Sequence, residues 1–590
     1  MTDIIDIQEM PLSVPYFRRK VEDFLGRNEL RLEDVDVYLT ILDSDGEILA
    51  GGGLKGDVIK CVAVSGTARS LGLSVPLFSR LISIASERGI TNVKVFTKPG
   101  NESVFESLGF HTIASAPKAI LMENGRGLES YLEYLGKHRR SGRNGAVVMN
   151  ANPFTNGHQY LVMDSSRMVD NLYVIPVKED VSRFPYLERR QMMVSGCNGL
   201  AEVLEGSAYQ VSSATFPTYF LKDLSEASET QMRLDLDLFG RHIAPALGVT
   251  VRFAGSEPAD PLTARYNELM REILPGYGIA FCETERLCDD ENPLSTPHVH
   301  HAHVNGDPPD IAAIGVSASR VRKALDEGRL PWHLVPSGTW PYLVAEAMSR
   351  SMKMELDAPL KPGLVDQERN GAHTDMDYSL MKGSIDVIRR SFTSHSNETD
   401  LVGLGLAVEK DVLEYTGGVN TYRGAIFCQL TMAKAFLDLI SRPETDHEML
   451  PELLPEAISK LAAQVKPSVT SNGGRAVKEY GVKGALAMAL DGYKELFGSW
   501  LPYYRSVKGE EWGLQKTLLL IMSSLDDTCI IHRAGYPRAQ EVKAQSSALL
   551  EDFSPEGLKA MDEVFLRERI SPGGCADMLA LTIFADNLLN

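Results

Sequence analysis

Cysteine is scarce in this 590-residue chain, and the seven present, at 61, 197, 282, 288, 428, 529 and 575, are scattered without a Cys-x-x-Cys pair. That spacing excludes a disulfide framework and a zinc ribbon, and most of the thiols read as buried. Long apolar runs are missing too. Nothing approaches the roughly 18 apolar residues of a membrane helix, and the amino terminus, MTDIIDIQEM, carries no basic segment ahead of an apolar one. The expected location is cytoplasmic, with no membrane partner. Basic charge is in deficit, 60 Lys and Arg against 79 Asp and Glu for a formal charge of -19. A general nucleic-acid binder, which must neutralise phosphates, is therefore excluded, and any anionic ligand must be held by a local site.

What is present is ordinary globular material. At 44% hydrophobic and 24% charged it is neither collagen-like nor disordered. At about 150 residues per domain, the length implies three to five folding units. Three regions are legible. In residues 1–140, Val37 to Leu42, Ile59 to Val64 and Val93 to Thr97 read as strands. Val75 to Arg88 has the spacing of an amphipathic helix with Leu77, Phe78, Leu81, Ile82 and Ala85 on one side, which makes an α/β pattern. Between strand and helix, Arg69-Ser-Leu-Gly72-Leu-Ser74 offers consecutive backbone amides and a helix start to an anion. This loop resembles the acetyl-CoA loop of GNAT-type acetyltransferases, with Ser74 in place of the final small residue. Asn101 and Phe105-Glu-Ser-Leu-Gly109-Phe110 are similar to a later segment of that family. The resemblance implies a GNAT-like domain and acetyl-CoA or a CoA-like compound as its ligand. The alternative is a tight strand-to-helix turn with no ligand.

Lys137 to Gly145 reads as a basic, glycine-bearing linker. Region two, residues 141–345, opens with a short buried strand, Ala146 to Met149. Asn150-Ala-Asn152-Pro153-Phe154-Thr155-Asn-Gly157-His158 and an apolar helix follow, and then another strand, Leu172 to Val177. Strand, turn, helix and strand at this distance predict a Rossmann-like parallel sheet. Gly157 lets backbone approach a ligand, the helix start presents unpaired N–H groups, and His158 can donate to a phosphate oxygen as charge develops. A second helix start, Ser317-Ala-Ser319-Arg-Val-Arg322, supplies hydroxyls and a guanidinium to departing phosphates.

The two motifs together resemble the (H/T)xGH and ISSTxxR signatures of the nucleotidyltransferase superfamily. With Val177-Lys-Glu179-Asp180-Val-Ser-Arg-Phe184-Pro185 added, residues 1–345 resemble the citrate lyase ligase family. That resemblance implies use of ATP and acetate, through an acetyl-adenylate, to acetylate the prosthetic-group thiol of the acyl carrier subunit of citrate lyase. AMP and pyrophosphate are released. It further implies that His158 stabilises the transition state with Thr155 and Arg322 as its catalytic partners, and that Asn152, Pro153, Phe154, Gly157, Gly255, Glu257, Ser317 and Ser319 bind the nucleotide. Mg2+ is expected with ATP. His298-Val-His300-His301-Ala-His303 lies just before the second motif with no cysteine or carboxylate at ligand spacing, and reads as an exposed loop rather than a metal site.

Region three, residues 350–590, has helix-length apolar segments such as Leu401 to Leu413, Ala425 to Ile440 and Thr517 to Leu525, which predict an all-α domain. Polar, glycine-bearing motifs interrupt them. Carboxylates at Asp375, Asp377, Asp526 and Asp527 are candidates to gather Mg2+, and Lys361, Arg423 and Arg533 to hold a triphosphate. Asp366, His373, Asn420 and Asp577 complete the candidate second site. Each motif read singly is also compatible with a helix cap and turn. KPGLVD, NGAH-x-DMD, TGGVNT-x-x-GAIF and SPGG-x-AD together resemble triphosphoribosyl-dephospho-CoA synthases. The resemblance implies attack of a hydroxyl of dephospho-CoA on the ribose C1 of ATP, with release of adenine and a carboxylate base. The chain departs from that pattern at Tyr422-Arg423, at Leu486-Ala-Met488 and at Cys529. A slow, altered or purely structural role for this half thus stands beside an active one. Two other readings of the whole are an adenylyltransferase acting on a small phosphate ester without a carrier, and a nucleotide-binding scaffold.

Overall fold

The computed structural model describes residues 6–179, 182–210, 225–256, 260–285, 317–396, 400–466 and 472–590. These fall into two compact units, one reaching Glu285 and the other starting at Ser317. The histidine-rich loop at 298–303, Cys288, Asp180 and Glu257 lie outside the described residues.

The first unit contains two sheets. One comprises β1 (Ile7–Glu9), β2 (Val37–Leu42), β3 (Ile48–Lys55), β4 (Val58–Val64), β5 (Val93–Thr97), β6 (His111–Ser115) and β7 (Ile120–Asn124), in the order β1-β2-β3-β4-β5-β7-β6. Neighbours are antiparallel except β4 and β5, which pair in parallel at Val58/Lys94 and Ile59/Val95 only. The helix Ser74–Glu87 joins those two strands and buries Leu77, Phe78, Leu81, Ile84 and Ala85. Its bounds match the predicted helix to within a residue, because the apolar spacing that predicts it is the face it buries.

The other sheet comprises β8 (Asn144–Met149), β9 (Asn171–Pro176), β10 (Glu202–Val203), β11 (Val249–Gly255) and β12 (Ala280–Thr284). It is parallel throughout, in the order β10-β9-β8-β11-β12. From β8 the chain moves first to β9 on one side and later to β11 on the other, so the edge beyond Met149 and Gly255 is a topological switch point, where ligands of such sheets bind.

One apolar cluster runs through both halves of this unit, with Phe24, Leu121 and Leu135 in the same core as Tyr173, Leu236 and Phe239. Asp237 ties them further by accepting the Ser115 N–H at 2.7 Å. The basic stretch expected as a free linker is pinned instead. Arg140 donates its N–H to Tyr173 Oη (3.0 Å), Arg143 its N–H to Asp170 (2.7 Å), and Asn144 Nδ2 bonds the carbonyls of Arg140 and Leu247. His138 and Arg140 both pair with Glu202. Charge density suggested solvated chain, but these residues lead directly into β8 and their backbone polar groups need partners there.

In the second unit every described regular element is helical. At its centre lies the last helix, Gly573–Leu589, whose residues from Met578 to Leu588 are all buried. A helix apolar around its whole circumference belongs inside. It packs against Trp340–Asp357, Arg423–Ile440 and Gly513–Ser524. The boundary read from sequence at 345–350 falls within Trp340–Asp357, a continuous helix of this unit.

Candidate nucleotide sites

The first candidate site is built at the switch point of the parallel sheet. Beyond β8 the chain turns through Asn150 to Phe154, with a cis bond at Asn152–Pro153, and enters the helix Asn156–Ser166. Thr155 is its N-cap. The Thr155 hydroxyl accepts the backbone N–H of His158 at 3.4 Å, and the Thr155 backbone N–H donates to His158 Nδ1 at 3.1 Å, a reciprocal capping box. The Thr155 hydroxyl oxygen is also 2.8 Å from Nδ1. Because a backbone N–H can only donate, Nδ1 is the acceptor, and the neutral ring carries its proton on Nε2. The spacing Thr-x-Gly-His therefore fixes the tautomer, leaving an N–H donor of the kind a phosphate oxygen accepts. Phe154, fully buried, stacks on the imidazole with centroids 5.6 Å apart and sets its plane.

A residue that the sequence reading missed organises this loop. Arg189 is fully buried, and its guanidinium donates to the carbonyls of Phe184 (3.0 Å), Asn150 (2.7 Å), Val177 (3.1 Å) and Glu179 (2.7 Å), as well as to Asn150 Oδ1. It thereby clamps the loop after β8 to the loop after β9. Asn150 Nδ2 bonds Glu179 Oε1 at 2.7 Å, and Asn152 Oδ1 accepts the Phe184 N–H at 3.1 Å. The signal was present: Arg189 falls on the stripe Tyr186, Met192, Met193, Gly196 that its helix, Tyr186–Cys197, buries. Gly255 ends β11 at the same edge of the sheet, its carbonyl held by Asn267 Nδ2 at 3.0 Å.

Ser317, Ser319 and Arg322 belong to the second unit, at the start of the helix Ala318–Asp326. Ser317 is the N-cap, accepting the Arg320 N–H at 3.2 Å, and its hydroxyl lies 2.8 Å from that of Ser319. Arg322 is half-buried.

The other predicted residues divide into organisers and open groups. Lys361 is buried against Glu355, 2.5 Å from its carboxylate, where it serves as a counter-ion. Asp366 accepts N–H groups of Leu360, Glu368 and Arg369 together with the Arg369 guanidinium. Burial opposes its ionisation, yet these donors hold its carboxyl below the ordinary value. Gly363 has φ +71, and a Cβ there would overlap the Ile570 carbonyl, which explains the glycine of KPGLVD. Arg423 pairs with Glu409 at 2.8 Å, and Asn420 accepts its backbone N–H. His373 Nε2 is 2.8 Å from Ser571 Oγ, and Arg533 lies 3.3 Å from His373 Nδ1.

The four carboxylates expected to gather Mg2+ are not gathered. Among the described residues no three His, Cys, Asp or Glu side chains form a metal-ligand group. Asp377 caps the helix Tyr378–Ser394, Asp526 is held by Lys543 and Gln540, and Asp375 is exposed with only His373 near, at 3.9 Å. Asp527 accepts the N–H groups of Cys529 (2.7 Å), Ile530 (3.2 Å) and Cys575 (2.8 Å). Helix caps have thus used oxygens of Asp377 and Asp527 that sequence spacing left available. Asp577 is different: no hydrogen bond or ion pair to it exists among the described residues.

Comparison with known proteins agrees with this division. The family model described as citrate lyase ligase C-terminal domain matches residues 144–314, and that described as ATP:dephospho-CoA triphosphoribosyl transferase matches residues 341–590. The citrate (pro-3S)-lyase ligase of Escherichia coli (strain K12) is 40% identical over 306 residues, 50% of this chain and 87% of that protein. The same-named protein of Klebsiella pneumoniae is 38% identical over 342 residues, 56% of this chain and 94% of that protein, so the relationship extends beyond the matched ligase domain. The 2-(5''-triphosphoribosyl)-3'-dephosphocoenzyme-A synthase of Klebsiella pneumoniae is 31% identical over 272 residues, 41% of this chain and 89% of that protein. With relatives of both kinds covered nearly end to end, the chain belongs to the citrate lyase ligase family in its amino-terminal part and to the triphosphoribosyl-dephospho-CoA synthase family in its carboxy-terminal part.

Proposed function

We propose that the chain is a bifunctional enzyme of citrate lyase maturation, with both activities in the cytoplasm. Its amino-terminal part activates acetate with ATP and transfers the acetyl group to the prosthetic-group thiol on the acyl carrier subunit of citrate lyase. Its carboxy-terminal part makes triphosphoribosyl-dephospho-CoA from ATP and dephospho-CoA, releasing adenine. The observation that carries the first activity is the Thr155–His158 capping box at the switch point of a parallel sheet.

In the ligase step an acetate oxygen attacks the α-phosphorus of ATP, pyrophosphate departs with the bonding pair, and the carrier thiol then attacks the acetyl carbon and displaces AMP. His158 donates from Nε2 to a phosphate oxygen as negative charge builds, and the positive end of the helix shares that charge. Ser317, Ser319 and Arg322 are assigned to the departing pyrophosphate on the strength of their motif. Mg2+ bound with ATP would neutralise phosphate charge there, an ion that takes few of its ligands from protein. Residues 6–138 are assigned a GNAT-like fold from the strand order and the brief parallel pairing of β4 with β5. A CoA-like ligand is assigned to the exposed turn at Arg69 to Gly72. The three functional segments are then 1–140, 141–345 and 350–590.

The deciding experiment is AMP release from ATP and acetate with thiol-form citrate lyase as acceptor. Wild-type chain should release AMP only with the carrier present, and His158→Ala should lower the rate by about 100-fold or more. Adenylylation of a small phosphate ester without a carrier, or full activity in His158→Ala, would overturn the assignment.

A further inference from the structure

The fold of the second unit isolates one carboxylate. Asp527 accepts the Cys575 N–H and so pins the first turn of the helix Gly573–Leu589 beside its own helix, Thr528–Ala534, where the small residues Gly573 and Gly574 allow close approach. That docking carries Asp577 against Gly424 in the first turn of the helix Arg423–Ile440, where a Cβ would overlap Asp577 Oδ2. The buried carboxylates of this unit have donors: Lys361 for Glu355, Arg369 for Asp366 and Asp562, backbone N–H groups for Asp527, and Arg505 with Lys508 for Asp586. Asp577, half-buried, has none among the described residues.

A second group points to the same place. Tyr422 is 5% exposed, and its hydroxyl has no hydrogen-bond partner among the described residues. Tyr422 is the N-cap of Arg423–Ile440, two residues before the Gly424 that Asp577 meets. An acceptor without a donor and a donor without an acceptor, brought from separate helices to one space, are together satisfied by a ligand group that both donates and accepts, as a hydroxyl does.

Resting on the transferase reading above, we infer that Asp577 accepts the proton of the attacking hydroxyl of dephospho-CoA while the Tyr422 hydroxyl donates to that oxygen and positions it. The hydroxyl oxygen forms its bond to ribose C1 of ATP, and the bond from C1 to the adenine nitrogen breaks with its electron pair leaving on adenine. The proton taken from the hydroxyl is passed on through Asp577 to the departing base, so charge balances overall. Burial, and then the Asp527 and Glu355 carboxylates, push the Asp577 carboxyl well above its ordinary value, which makes it a stronger base than an exposed aspartate. Tyr422 is also pushed well above the usual phenol by burial and by Glu355, Asp577 and Asp357, and so remains a donor.

The test is adenine release from ATP and dephospho-CoA by the full-length chain, with carrier acetylation by the same sample as internal control. Asp577→Asn should slow adenine release by about 100-fold or more and leave acetylation unchanged. It should also raise the thermal midpoint of the second unit, because it removes a carboxyl whose ionisation folding opposes, a cost that is present at neutral pH. A merely structural aspartate would give the opposite shift in midpoint. Tyr422→Phe, which keeps the packing, should lower the rate by about 10-fold. Adenine release in Asp577→Asn within about threefold of wild type, or a loss accompanied by a lowered midpoint, would overturn the assignment while the transferase reading stood. No adenine release from wild-type chain would overturn both.

Discussion

Two carboxylates on one buried helix meet opposite fates. Asp577 and Asp586 both lie on Gly573–Leu589, but Asp586, 2% exposed, receives Arg505 Nε at 2.6 Å and Lys508 Nζ at 2.8 Å. The fold has arranged two counter-ions for the acid at one end and none for the acid at the other. That asymmetry separates a group kept for stability from one kept for chemistry. Replacing Asp586 by Ala should cost about 2 kcal/mol, since the two cations left behind keep some access to water. Urea unfolding of the full chain, followed by fluorescence, would read this as an earlier transition for the second unit. Adenine release below the transition should stay near wild type. A loss of activity without a loss of stability would place Asp586 in the chemistry instead.

At the scale of elements, the candidate ligase site is a helix start held by its neighbours, and its precision depends on a contact behind that helix start. Gly196, on the buried face of Tyr186–Cys197, lies so close to Phe154 that a Cβ would overlap the ring, and its carbonyl accepts Gln159 Nε2 at 2.9 Å. Phe154 in turn stacks on His158. Gly196→Ala should push Phe154 toward the imidazole and lower AMP formation by about 10-fold or more while adenine release is unaffected, because small displacements at a preorganised site are costly. Equal loss of both activities would indicate global damage. This contact marks the limit of what could be read in advance. The strand-turn-helix order was legible, and Thr155 and His158 stood out, because local spacing alone produces the capping box. Arg189 and Gly196 were not singled out, because their function depends on which loop lies opposite them in the folded sheet. The same holds for Lys361, which the fold pairs with Glu355, and for Asp377, Asp526 and Asp527, whose oxygens are taken by helix starts, a glutamine and a lysine. Local motifs show which chemistry is available, but tertiary pairing decides which groups remain free to perform it.

At the scale of the molecule, the family boundary and the folding boundary do not coincide. The sequence suggests a division near 345–350, and the transferase family model begins at residue 341. The helix Trp340–Asp357 nevertheless crosses that division, burying Tyr342, Leu343, Val344 and Met348 before it and Met352 and Leu356 after it. The helix carrying Arg322 leans on the same body: Arg350 donates to the carbonyls of Leu325 and Asp326 at 3.0 and 2.6 Å. Removing the first ten residues of Trp340–Asp357 would delete four large buried side chains at about 2 kcal/mol each, roughly 8 kcal/mol in all. That equals most of the 5–15 kcal/mol of a typical domain. A fragment comprising 350–590 should therefore be insoluble or molten, whereas one comprising 317–590 should melt cooperatively and retain adenine release. Expression of the two fragments with calorimetry and the adenine assay decides the matter. Equal cooperativity in both would show that the helix turns before Arg350 are dispensable to the folding unit.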